Sequence, residues 1–380
     1  MEYYITFPFE GEKERSYTFE EIFDEIFDKP LMKNPQNTIT YKKYWLLQPS
    51  PEFIAKMVNS LRSFNNEFVD KLEKPYEQYY SPFFIPKQKG GFRKITPPSR
   101  ELKVAQRRLS EIFQDDFRAL SHTSAFAYVK ERCACSAVKK HQANSSRWFL
   151  KLDFHDFFGS TTKDFVLQQL SMIYPFCSIL SNPEGKIELE KALDICFYEG
   201  GLPQGSPISP LLTNIIMTPI DYEINRYCTT HSPYFVYTRY ADDIAISCKY
   251  NFNHKQVVQD LLGILSSFNT PFTLNNKKTT YGSSAGRNWI LGTMYTSDCR
   301  ITYGHKKKER FKAAVFSLLK DYTNGRIWSV DDANTLRGMV SYYNSIDAET
   351  TKNIIDRYNE KFNLDTLDLL SKIISGKIGG

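Results

Sequence analysis

Tyr240-Ala241-Asp242-Asp243 lies between two runs of strand-forming residues, 234–238 and 244–247. The pattern predicts a β-hairpin with two carboxylates at its tip. Like charges held this close repel, and each raises the other's pKa unless a cation sits between them. Oxygen-only, carboxylate-rich sites suit Mg2+ or Mn2+. Asp-Asp at a hairpin tip is also ordinary turn chemistry, so the rest of the chain has to decide between the two readings.

Working outward, Lys151-Leu152-Asp153-Phe154-His155-Asp156-Phe157-Phe158 places a carboxylate at the end of an apolar strand over 148–153. Gly201-Leu202-Pro203-Gln204-Gly205-Ser206-Pro207-Ile208-Ser209-Pro210 is a tight loop defined by Gly and Pro, opening a helix expected from Leu211 to about Tyr227. A helix over 257–268 precedes Leu274-Asn275-Asn276-Lys277-Lys278-Thr279, and a strand is expected over 289–295. Residues 82–96 read as a hairpin with a basic, Gly-rich tip, Lys87-Gln88-Lys89-Gly90-Gly91. Residues 101–113 form a basic amphipathic helix with Leu102, Ala105, Leu109 and Phe113 inward and Arg107 and Arg108 outward.

At the N-terminal end, Thr18-Phe19-Glu20-Glu21 is a capping-box pattern, followed by Ile22, Phe23, Ile26 and Phe27 at helical spacing. Ser50-Pro51 opens a second helix, so residues 1–75 are expected to be a helical extension. Tyr41-Lys42-Lys43-Tyr44-Trp45 mixes bases with aromatics, as nucleic-acid contacts often do, but a packed aromatic cluster is the favoured explanation. From His305 the chain turns helical and basic. Lys306, Lys307, Lys308, Arg310 and Lys312 surround Phe311, Ala314, Val315, Leu318 and Leu319.

The chain has 380 residues, 41% hydrophobic and 24% charged, enough to bury a large core. It lacks the run of roughly 18 apolar residues that crosses a bilayer. Its first residues turn acidic too soon for a signal peptide, which leads to the expectation of a cytoplasmic protein without membrane contact. Seven scattered cysteines predict reduced thiols rather than disulfides or zinc. Residues 1–30 hold nine acids and three bases, a net of −6; the whole chain carries +6, so the remainder carries +12. A basic body suggests a polyanionic partner.

The ordered blocks resemble a bacterial reverse transcriptase of the group II intron, retron and phage-defence kind, over roughly 80–375. The resemblance implies an α+β right-hand polymerase. Fingers and a ferredoxin-like palm with an antiparallel sheet would occupy 76–302, and a helical thumb 303–380. It implies an RNA-directed DNA polymerase that extends a 3′-hydroxyl with dNTPs by two-metal phosphoryl transfer. Asp153, Asp242 and Asp243 would be catalytic and would hold two Mg2+ (or Mn2+) ions with the Phe154 carbonyl. Lys278 would protonate the leaving pyrophosphate. Arg93 and Lys87 or Lys89 would grip the triphosphate. Gln204, Gly205 and Tyr240 would line the nucleotide site, and Phe158 would sit under the sugar as a steric gate. Leu291-Gly292 would hold the primer end, and Lys306, Lys307, Lys308 and Arg310 would contact template–primer phosphates.

Within that family the chain departs from two retron patterns. It reads Ile290-Leu291-Gly292 where Val-Thr-Gly is usual, and Ser136-Ala137…His141 replaces Asn-Ala-x-x-His with a different spacing. These departures point away from retrons. With Gly380 soon after the expected thumb, intron splicing or homing is not expected, and the intact Gln204–Pro210 loop points away from diversity-generating elements. A phage-defence or unclassified enzyme working on a cognate non-coding RNA is then expected, with a homo-oligomer or accessory protein left open. The competing expectations are a template-independent or protein-primed polymerase of the abortive-infection type, and a silent RNA-binding scaffold.

Overall fold

The structure is a computed structural model describing residues 3–5, 15–17, 47–48, 50–87, 90–285 and 288–378. Three short strands, β1 (Tyr3–Ile5), β2 (Arg15–Tyr17) and β3 (Leu47–Gln48), form an antiparallel sheet in the order β2-β1-β3. The expectation of a wholly helical segment over 1–75 is therefore corrected: an aromatic and β-branched stretch, Tyr3-Tyr4-Ile5, favours extended backbone over helix. The helix expected over 19–27 and the stretch 41–45 lie outside the described residues. The second helix is present as Pro51–Phe64. Ser50 caps it by accepting the Phe53 N–H, and Met57, Val58, Leu61 and Phe64 are buried.

Strands β4 (Phe83–Pro86) and β5 (Phe92–Ile95) pair as a two-stranded hairpin that stands out from the body, with Phe84 and Phe92 exposed. Gly90 and Gly91 both take positive φ at its tip, a conformation that side-chain-bearing residues resist. The helix Arg100–Glu111 follows and buries Leu102, Ala105 and Leu109.

The organising sheet is antiparallel: β6 (Trp148–His155), β7 (Val236–Tyr240), β8 (Asp243–Cys248), β9 (Thr273–Leu274) and β10 (Thr280–Ser283), in the order β10-β6-β8-β7 with β9 beside the end of β6. The two-residue periodicity of β6 sorts its side chains. Leu150, Leu152 and Phe154 enter the main core, which also takes Leu189, Leu212, Ile220 and Leu261 from the covering helices. Phe149 points the other way and packs on Tyr295 at 4.9 Å. Lys151 and Asp153 share the face of Phe149.

The helix expected from Leu211 to Tyr227 is two helices, Ser209–Ile216 and Thr218–His231. Pro219, in the first turn of the second, has no N–H to continue the ladder, so the chain breaks at Met217. The strand expected over 289–295 is a hairpin, β11 (Asn288–Ile290) and β12 (Thr293–Tyr295), turned at Leu291-Gly292 and joined by β13 (Ile301–Thr302). Four helices then follow: His305–Thr323, Val330–Ile346, Ala348–Phe362 and Thr366–Ile374. They share a second core built on Phe311, Val315, Leu336, Ile355 and Leu369. All seven cysteines are free thiols, and among the described residues no helix is long and apolar enough to cross a membrane.

Candidate active site

The register of the central sheet brings the distant acids together. Asp153 on β6 lies directly opposite Asp243 on β8, and Tyr240 pairs with Asp243, leaving Ala241-Asp242 as a two-residue turn. A turn this short requires positive φ at its first position, and Ala241 adopts +56°. The Phe154 N–H donates to the Asp242 carbonyl at 3.1 Å, tying the turn to β6.

Burial and the neighbouring carboxylates act on Asp242 and Asp243 in the same direction. Asp243 is open to solvent at its tip, yet the protein around it, then Asp242 and Asp153, push its pKa up to about 6. Burial, followed by the charge of Asp153, also raises Asp242. Asp153 is only 6% exposed, and Lys278 Nζ donates to both of its oxygens, at 2.9 and 2.8 Å. That hydrogen bond is the main reason the Lys278 ammonium is held above its usual pKa.

The donor set suits a hard cation. It is oxygen-only, and an ammonium already lies against Asp153. As the side chains stand, no three His, Cys, Asp or Glu residues converge on one point among the described residues. Both Asp153 oxygens are engaged by Lys278.

Asp153 forms part of the wall between two cavities. The larger, about 780 Å³, is lined by Lys87, Arg93, Tyr128, Phe154, Phe158, Gln204, Gly205, Asp242 and Lys278. The smaller, about 370 Å³, is lined by Lys151, Asp243, Lys278, Trp289 and Leu291. Tyr240 is not among the residues lining either, and Lys89 lies outside the described residues. The Gln204 carbonyl accepts the Thr96 N–H at 2.6 Å, anchoring the loop to the end of β5. Gly205 has φ +111°, and a Cβ there would meet Ile95 Cγ2 at 3.1 Å; the loop needs glycine to pack this close.

The basic helix at 305–323 divides its cations. Lys306 and Arg310 are exposed and Lys308 is half-buried. Lys307 turns inward: its Nζ donates to the Gly292 carbonyl at 2.7 Å and lies over the rings of Tyr342 and Trp289, at 5.4 and 5.8 Å from their centroids.

Three features of the site escaped the motif reading. Tyr128 lines the large cavity with φ +59° and lies near Asp242 and Arg93, but the stretch around it has no diagnostic spacing. Lys151 Nζ reaches the Asn288 side chain at 2.8 Å and the Trp289 carbonyl at 3.1 Å. Arg239 is buried beneath the Asp242 turn; the available signal was a charge inside an otherwise uncharged strand.

A family profile described as reverse transcriptase (RNA-dependent DNA polymerase) matches residues 85–312. The chain belongs to the reverse transcriptase family, and its activity is that of an RNA-directed DNA polymerase. Among bacterial relatives, the retron Ec83 reverse transcriptase of Escherichia coli is 28% identical over 310 residues, 78% of this chain and 91% of that one. The E. coli retron Ec73 reverse transcriptase is 28% identical over 272 residues, covering 69% and 82%. Apo telomerase from Candida tropicalis aligns over 84% of this chain and 67% of its own, with TM-score 0.50 and 13% identity. The α+β right-hand fold is thus shared with that enzyme.

Both bacterial relatives carry the name of retron enzymes. The shifted His141 still reaches the core. It is fully buried, its ring nitrogens lie 2.6 Å from Ser247 Oγ and 2.8 Å from Thr238 Oγ1, and burial lowers its pKa to about 3.

Proposed function

We propose that the chain copies RNA into DNA by adding a dNTP, held in the larger cavity, to a primer end in the smaller one. Asp153, on the wall they share, is placed to act on both. The observation that carries this reading is the register pairing of Asp153 with Asp243 one residue from the Asp242 turn. Asp153 and Asp242, with the Phe154 carbonyl, would hold two divalent cations, Mg2+ in the first instance, and Asp243 would stand beside them. Bound there, the cations would neutralise charge on the transferred phosphoryl group and favour the deprotonated 3′-hydroxyl.

The reaction forms a bond from the primer 3′-oxygen to the α-phosphorus and breaks the bond to the pyrophosphate oxygen. Lys278 keeps a proton on Nζ beside Asp153, where departing pyrophosphate would need one. Arg93 offers a fork suited to phosphate oxygens, and Lys87, which lines the same cavity, or Lys89 would supply a point charge. Phe158 would exclude a 2′-hydroxyl, and Gln204 and Gly205 would shape the rest of the pocket. Leu291-Gly292 would support the primer end. We assign 76–302 to fingers and palm and 303–380 to thumb.

A cognate non-coding RNA as template and a role in anti-phage defence are part of the same proposal, supported by the family resemblance and by the retron relatives. The test combines primer extension on defined RNA templates with Mg2+ and sequencing of nucleic acid that co-purifies with the protein. Template-complementary DNA that disappears in Asp242→Asn/Asp243→Asn is expected, together with one recurring RNA. Untemplated homopolymer, or synthesis undiminished in that variant, would overturn the reading.

A further inference from the structure

Arg239 and Asp221 are both 0% exposed and form a forked pair, Nε to Oδ1 at 2.8 Å and Nη2 to Oδ2 at 2.7 Å. Tyr237 Oη donates to the same carboxylate at 2.6 Å. The remaining guanidinium nitrogen, Nη1, leaves the pair. It donates to Asn214 Oδ1 at 3.2 Å and to the Ala241 carbonyl at 3.3 Å. Asn214 is itself fixed, its amide donating to the Ala127 carbonyl at 2.8 Å. The Arg239 backbone is held as well: its N–H donates to Ser124 and its carbonyl accepts from Phe126.

Ala241 is the one residue of the hairpin tip with positive φ, a conformation unfavourable for a residue with a Cβ. Such a backbone persists only where its surroundings over-determine it. Here the surroundings are a rigid, fully desolvated cation aimed at the carbonyl of the strained residue. A buried ion pair contributes little net stability compared with apolar packing of the same shape, so its presence is weak support for a purely structural role.

We propose that the buried Arg239–Asp221 pair positions the Ala241-Asp242 turn and thereby sets where the Asp242 carboxylate stands. Asp221, Asn214 and Tyr237 orient Arg239, and Arg239 holds the turn. This rests on the reading of Asp242 as a cation ligand and names what controls it.

The test uses Arg239→Lys in the full chain, since a lysine keeps the charge but lacks the planar fork that spans Asp221 and Ala241. With folding checked by the thermal midpoint, kcat for primer extension should fall about tenfold or more, while KM for primer–template stays within about twofold. Half-saturating Mg2+ should rise severalfold. In metal-free protein, amide hydrogen exchange should accelerate in the peptide covering 236–246 and not elsewhere. Folded Arg239→Lys with wild-type kcat, Mg2+ requirement and exchange would overturn the proposal. If Arg239→Lys does not fold, Arg239→Met/Asp221→Leu, which removes both charges together, is measured in the same way. Failure of both to fold would assign the pair to stability alone and also overturn it. Should wild-type synthesis show no saturable Mg2+ dependence, the cation reading fails, and the exchange measurement alone then decides whether Arg239 holds the turn.

Discussion

Phe158 follows a run of buried aromatics. Phe154, Phe157, Phe165 and Phe272 pack together with ring centroids 4.9–5.5 Å apart, and Phe158 extends this cluster edge-on from Phe157 at 5.6 Å while facing the larger cavity. Its backbone is clamped from the other side. The Phe158 carbonyl accepts the Leu202 N–H at 3.0 Å, and a Cβ on Gly201 would lie 2.0 Å from the Gly159 oxygen. A half-buried ring on so fixed a backbone suits steric exclusion better than core filling. Phe158→Ala is expected to raise the ratio of ribonucleotide to deoxynucleotide incorporation about tenfold, equivalent to ~1.4 kcal/mol of discrimination. Competing dNTP and rNTP extensions on one template measure it; an unchanged ratio with intact kcat for dNTP would remove the gate from this position.

At the scale of elements, the hairpin β11–β12 is braced from two directions. Lys151 holds Asn288 and Trp289 from β6, and Lys307 holds Gly292 from the helix His305–Thr323. Gly304, at φ +79°, lets that helix begin against Trp289, where a Cβ would come within 2.5 Å of the ring. Lys307→Met would lose the bond to Gly292 and the aromatic contacts while keeping most of the side-chain volume. The expected cost is about 0.5–1.5 kcal/mol of stability. Primer–template KM should rise about three- to tenfold with kcat nearly unchanged, as for an interaction present equally in ground and transition states. A Lys307→Met enzyme that loses kcat and keeps KM would contradict the bracing role. The same hairpin marks the limit of what the sequence discloses. Its apolar run over 289–295 reads as one strand, and only the Leu291-Gly292 pair marks the turn inside it, whereas the β7–β8 hairpin was readable from the strand-forming runs on either side of Asp242-Asp243. The lysines that brace it were not, because a Lys–carbonyl contact between residues 15 or 138 positions apart leaves no local periodicity. The helix break at Met217 was in principle legible from Pro219. The β1–β3 sheet joins strands whose partners lie up to 44 residues away in sequence, beyond any window of pattern reading.

Across the whole molecule, charge and shape act together. With residues 1–30 at −6, the rest of the chain carries +12, and Lys306 and Arg310 remain exposed at the start of the helix His305–Thr323. Cations committed inside the protein release no counterions when a duplex binds, whereas those that neutralise phosphates do. The structure therefore separates two kinds of lysine that look alike in the run Lys306-Lys307-Lys308. Binding of an RNA–DNA duplex should weaken linearly in log K against log[salt], and the triple change Lys306→Gln/Lys308→Gln/Arg310→Gln should reduce that slope by about 2 to 3. Lys307→Met alone should leave it unaltered, because its ammonium is already spent on Gly292. Fluorescence anisotropy over a salt series, with one labelled duplex and all three proteins, compares the slopes directly. A slope that falls for Lys307→Met by about a third of the triple variant's fall, roughly one phosphate contact, would mean that Lys307 swings out to the phosphates when duplex is bound, and that bracing of the hairpin ends where synthesis begins.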